Sequence, residues 1–221
     1  MNKPFLTIEQ LIDLLNTKGV VPGQNAADVL RRENYYAVVN GYKDPFLLSD
    51  DPSRFLSGIT FDSIYELFAM DRRLRAITFR YIVFAEALFK NVCCRAFCSR
   101  HIEAPEAYLD INSYRLDAQV PNKAQRLIDD FNKILNRPRS GRPRKKYLAH
   151  YEEIHGEVPL WVLMNALTLG QAYKFYCFLD DSLQFAISKE IENLYLHYHG
   201  VRIRLNSKRL ANAVNVVREF R

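Results

Sequence analysis

Glu86 and Lys90 stand four residues apart, the order and spacing in which a carboxylate and an ammonium meet on one helical face. Such a pair is either an ion pair that braces its helix or the polar part of a site. Asp71, Arg72 and Arg75 form a second cluster at helical spacing, with the same two readings. A third concentration of charge, Arg137, Arg139, Arg142, Arg144, Lys145 and Lys146, puts six cations into ten residues together with Pro138, Gly141 and Pro143. The prolines and glycine predict a flexible loop, and the cations suit contacts to the phosphates of RNA. A solvated loop without a ligand is the plainer reading.

Metal-free cleavage of RNA is the chemistry that arginine and histidine would serve together. It needs proton transfer at the 2′-hydroxyl and at the leaving 5′-oxygen, for which histidine is suited by a pKa near neutrality. It also needs a cation for the extra charge on the phosphorane, and the arginine fork donates two hydrogen bonds to phosphate oxygens. Arg95 precedes His101 and Arg144 precedes His150 at a spacing of six. With arginine at about one residue in eleven, roughly one such coincidence is expected by composition alone, so neither pair carries weight. Cys94, Cys98 and His101 share a helical face, yet three ligands spread along two turns of one straight helix do not close a tetrahedral zinc site. They read as ordinary thiols. The chain has no phosphate-binding glycine loop, Gly-x-Ser-x-Gly or His-Glu-x-x-His, and no metal or cofactor is expected.

The elements that position these residues read as helices. Eight glycines and nine prolines in 221 residues are too few for the turns of a β protein, and 48% apolar residues make a real core. Thr7 with Gln10 three residues on is a capping box, opening a helix that Gly19 closes. A short helix is expected from Asn25 to Glu33, then an irregular stretch from Asn34 to Pro52 whose aromatics pin it to the helices. Thr60 caps the longest element, which runs to Arg100 without glycine or proline. Phe61, Ile64, Phe68, Leu74, Ile77, Tyr81, Phe84, Leu88 and Val92 recur along it at helical spacing, predicting a central helix buried on several sides. Further helices are expected over Asn122–Asn136, Pro159–Leu179, Ser182–His197 and from Ser207 onward. The expected organisation is an N-terminal segment, residues 1–58, packed on a helical domain, residues 59–221.

The formal net charge of +6 suits a polyanionic partner. No apolar run approaches the ~20 residues that cross a bilayer, and the N-terminus lacks a signal peptide's apolar core. Three of the four cysteines crowd one helical stretch, which is no disulfide framework. These features predict a cytoplasmic protein with reduced thiols and no membrane insertion.

The order of the segments resembles the abortive-infection (Abi) family, of the AbiD/AbiF-like type, almost from end to end. The opening Pro4-Phe5-Leu6-Thr7 with Glu9-Gln10, Leu14-Leu15 and Lys18-Gly19 is similar to the family's first helix. Asn34-Tyr35-Tyr36, Asn40-Gly41-Tyr42 and Pro45-Phe46 resemble its tyrosine-glycine-tyrosine segment. Phe61, Ile64, Leu67 and Asp71-Arg72-Arg73-Leu74-Arg75, followed by Glu86 and Lys90, resemble its long helix. His150-Tyr151, Pro159-Leu160-Trp161-Val162-Leu163-Met164, Leu169-Gly170 and Phe175-Tyr176 resemble the block after the basic loop. Each motif is common; their order across the chain is not.

The resemblance implies a HEPN-like helical bundle, phage defence, and a toxin-type endoribonuclease that needs no metal. In that family an arginine, four to six residues and a histidine follow a helix resembling Val216-Val217-Arg218-Glu219-Phe220-Arg221. Arg221 would be the motif arginine, with its histidine expected after it. Glu86 and Lys90 would support the site opposite this last helix. RNA is the implied substrate, an antitoxin and a second copy the implied partners. The alternative is a non-catalytic RNA- or protein-binding module, acting as a sensor or an antitoxin partner.

Overall fold

Thr7 opens α1 (Ile8–Thr17) by the expected reciprocal bonds: its hydroxyl accepts from the Gln10 amide and the Gln10 side chain accepts from the Thr7 amide. Gly19, at φ 83°, supplies the left-handed turn that ends the helix. In the computed structural model, which describes residues 4–115, 120–135 and 145–220, the regular elements are helical. They continue as α2 (Ala26–Arg32), α3 (Phe61–Arg100), α4 (Val120–Leu135), α5 (Lys146–His155), α6 (Leu160–Leu163), α7 (Leu169–Phe178), α8 (Asp181–His199) and α9 (Ser207–Glu219). Extended pairing among the described residues is confined to two isolated bridges, Val21 with Thr60 and Leu47 with Phe55. The protein is all-α, as its composition predicts, with a long central helix.

The chain divides into two compact units, residues 1–80 and 81–221. The division falls inside α3, whereas the sequence suggests a boundary at 58/59, before the helix begins.

The first unit packs Leu15, Val29, Leu30, Val38, Val39, Phe61 and Ile64 into a core. The stretch after α2 holds a π-turn over Tyr36–Asn40 and a 3-10 turn over Asp44–Phe46. Val38 and Val39, both fully buried, anchor it. Tyr42 adds an edge-to-face contact with Phe68 at 5.4 Å, while Tyr36 points to solvent. Burial of valines thus does more than the aromatics to hold this segment.

The second unit centres on Phe175 of α7, which meets Phe97 of α3, Tyr114 and Phe131 of α4 at ring separations of 5.2 to 6.4 Å. Helix α7 packs on α4 and α9, and α9 on α8. At the α7–α8 corner the buried Gln184 donates to the carbonyls of Tyr176, Cys177 and Leu179. It thereby satisfies groups that a helix end leaves without partners.

Three expectations are corrected here. Helix α3 is not buried on several sides: Phe61 and Ile64 near its start and Phe89, Val92, Cys93 and Phe97 near its end are buried, but Met70, Leu74, Ile77, Tyr81, Phe84 and Leu88 are exposed. Periodicity locates an apolar face without saying what covers it. The single helix expected over Pro159–Leu179 is broken into α6, a 3-10 turn at Met164–Ala166, and α7. Thr168 and Gln171 form a second capping box there, which starts a new helix rather than continuing the old one. Helix α5 occupies a stretch where no helix is expected, from Lys146 to the left-handed Gly156.

Candidate functional site around Glu86 and Lys90

Helix α3 enters the second unit carrying Glu86 and Lys90, and the i,i+4 spacing brings their side chains together. Lys90 Nζ lies 2.6 Å from Glu86 Oε1, with both side chains largely shielded, at 14% and 10% exposure. The ammonium also donates to the Leu167 carbonyl oxygen at 2.6 Å. Leu167 sits at the break between the 3-10 turn and α7, where a helix leaves carbonyls without amide partners. Lys90 answers that need. Burial pushes its ammonium below the usual lysine range even with the carboxylate beside it. A buried ion pair costs desolvation of both groups and is weak support for stability as such. Its presence on a cavity wall is therefore worth a chemical reading.

The cavity measures about 390 Å³ and is lined by Glu86, Lys90, Asn91, Cys94, Trp161 and Asn165, with apolar closure from Met164 and Val83. Its size falls in the range of small-molecule sites, and its lining mixes apolar surface with a few polar groups, as such sites do. Trp161, the chain's single tryptophan, comes from α6 and is half exposed. Asn165 follows it by one helical turn and donates to the Trp161 carbonyl at 3.1 Å.

Glu86 also lines a second, smaller cleft of about 150 Å³ with Phe89, Leu169, Leu210, Val214 and Val217. The last three belong to α9, so Glu86 faces the helix that leads to Arg218 and Arg221. Arg218 itself lies over the Tyr173 ring at 5.3 Å and pairs with Glu219.

Of the other sequence candidates, Arg137, Arg139, Arg142, Arg144 and Arg221 lie outside the described residues. Lys145 is the N-cap of α5 and Lys146 its first residue, both exposed. Lys145 approaches the Tyr147 ring at 5.9 Å. Two cations at a helix N-terminus oppose its dipole, so they leave an unneutralised positive end there.

The Asp71, Arg72 and Arg75 cluster braces the first unit. Arg72 forks onto both oxygens of Glu33 at 2.7 Å and lies 4.5 Å from the Phe68 ring. Arg75 reaches Asp71 at 2.7 Å and the Tyr42 hydroxyl at 3.1 Å, and Tyr42 donates to Asp71. That hydroxyl, helped by Arg75, holds the Asp71 carboxyl below the ordinary range. Arg95 points to solvent, and His101 stacks on Phe97 at 4.4 Å, its imidazole pKa lowered by burial and by Arg100. The four thiols are unbridged, and burial pushes that of Cys93 well up. Among the described residues no group of three or more histidine, cysteine, aspartate or glutamate side chains is placed to hold a metal, and no helix is long and apolar enough to cross a membrane.

Sequence reading brings Glu86 and Lys90 forward but misses what they face. Trp161, Asn165 and Asn91 are unremarkable in sequence until α6 stops short and turns them toward α3. The repeated Thr-x-x-Gln pattern, Thr7/Gln10 and Thr168/Gln171, is the signal that locates this stop.

A family model described as Abi-like protein matches residues 28–221. No curated protein and no solved structure matches the chain.

Proposed function

This chain belongs to the Abi-like protein family, and on that premise we propose that it is a phage-defence protein of the AbiD/AbiF-like type acting as a metal-independent endoribonuclease on a HEPN-like bundle. The observation that carries the reading is the shielded Glu86–Lys90 pair, set on a cavity wall and also facing α9, the helix that leads to Arg221. In this reading Arg221 holds the scissile phosphate, a histidine following it moves protons, and Glu86 with Lys90 fixes charge at the site. Arg137, Arg139, Arg142, Arg144, Lys145 and Lys146 bind RNA phosphates outside the reacting centre.

The test is RNA cleavage, with chelator present, by protein expressed from the native reading frame. The expected result is cleavage that Arg221→Ala abolishes. RNA binding without cleavage in the unaltered protein would move the assignment to the binding module, as a sensor or an antitoxin partner.

A second copy of the chain is the proposed partner of α3. Met70, Leu74, Ile77, Tyr81, Phe84 and Leu88 are all exposed and alternate spacings of four and three, the 3.5-residue period of a coiled-coil seam. Two α3 helices set antiparallel about a two-fold axis near Phe79 pair Met70 with Leu88, Leu74 with Phe84, and Ile77 with Tyr81. The face is thus complementary to itself, as an isologous interface requires.

A further inference from the structure

We propose that the cavity beside Glu86 and Lys90 is a nucleobase pocket selective for guanine, with Trp161 as its stacking wall. The inference rests on the RNA reading and deepens it by naming the base that the site prefers.

The cavity brings together a carboxylate, an ammonium, two carboxamides and an indole within about 390 Å³. Unpaired bases are recognised by this combination: an aromatic side chain takes the flat face, and polar groups read the edge. Trp161 is half exposed although it is the chain's single tryptophan, so a large aromatic surface is left available at the cavity.

The charged pair selects among bases. A carboxylate is an acceptor only. Guanine presents two adjacent donors on its Watson–Crick edge, N1–H and N2–H₂, which match the two oxygens of a carboxylate. Adenine and cytosine place a lone pair beside their amino group, which a carboxylate repels. Uracil offers one N–H between two carbonyls. Lys90, with three N–H donors, gives one to Glu86 and one to Leu167, and guanine O6 is an acceptor for the third. Asn91 and Asn165, both exposed at the cavity, supply further donors and acceptors at its rim. Burial of the pair keeps competing water away from the carboxylate and strengthens its discrimination.

Trp161 provides its own readout, since a stacked base quenches indole fluorescence. The experiment titrates the full chain with guanosine, adenosine, cytidine and uridine monophosphates in turn. Saturable quenching by guanosine monophosphate, at least roughly ten-fold tighter than by the other three, is the expected result, a margin equal to one charge-assisted hydrogen bond. Glu86→Gln should erase that margin. Because Glu86 is buried and its variant may unfold, Ala87→Phe serves as the second variant. Ala87 is exposed on α3 and lines the cavity, so a phenyl ring there fills it and should abolish quenching while circular dichroism stays unchanged. No saturable quenching, equal quenching by all four nucleotides, or quenching untouched by Ala87→Phe overturns the proposal. RNA cleavage measured on the same protein keeps the two readings apart. Cleavage without guanine preference sinks the pocket alone, and guanine binding without cleavage sinks the nuclease alone.

Discussion

Lys90 and Leu167, 77 residues apart in sequence, are joined by a hydrogen bond of 2.6 Å from the ammonium to the backbone carbonyl. The bond links the long helix to the point where α6 gives way to α7. One side chain thereby serves the ion pair, the helix break and the cavity wall.

Lys90→Met should therefore cost more than a surface lysine would. It removes the ammonium from beside a buried carboxylate and from a helix-break carbonyl, and a loss of about 3–5 kcal/mol is expected. Urea unfolding gives the value. Glu86→Gln combined with Lys90→Met should cost less than the sum of the two single changes, because they remove one interaction. Additive costs would show that the pair is not coupled.

Thr168→Ala removes the cap that begins α7. The expected cost is about 1 kcal/mol, read as a lower urea midpoint with an unchanged slope. Thr168→Ser, which keeps the hydroxyl, should restore most of it. A Thr168→Ala midpoint equal to that of the unaltered protein would mean that α7 is held by packing alone.

His101 gives the second unit a pH dependence. Burial and the neighbouring Arg100 depress its folded pKa, so the unfolded chain takes up a proton at higher pH than the folded one. Stability is then full above the unfolded value and is lost as pH falls through the folded value. The urea midpoint should decline between about pH 7 and 5, and His101→Gln should flatten that decline. An unchanged slope in the variant would assign the decline to other groups.

The α3 face predicts the oligomeric state. Leu74→Glu or Phe84→Glu sets a charge into each of the two symmetry-related layers that the paired helices would form. Sedimentation should show a dimer for the unaltered chain and a monomer for either variant. A monomeric unaltered protein would rule out the pairing.

The helical class, the first capping box, the start of α3 at Thr60 and the membership suggested by motif order were all legible from the sequence. Each is set by neighbours within a few residues. The Glu86–Lys90 contact was legible for the same reason. What escaped depends on residues far apart. Leu74 and Phe97 both recur on apolar positions of one helix, yet one is exposed and the other buried, and only the packing partners distinguish them. Trp161 joined the cavity because α6 stops after Leu163, an ending dictated by the Thr168 cap beyond it. The Arg72–Glu33 fork spans 39 residues, and no local pattern announces it.

Phe175 touches rings from positions 97, 114 and 131, and this has a consequence for the chain as it is made. Synthesis delivers the three earlier aromatic groups first and leaves them without their common neighbour until α7 has left the ribosome. Local helices form early, but the contacts that fuse them span long stretches of chain and close late. A prematurely halted translation product ending before α7 would expose Phe97 and Phe131 and would lack both walls of the Glu86 clefts. Whatever chemistry those clefts perform is thus withheld until nearly the whole polypeptide exists.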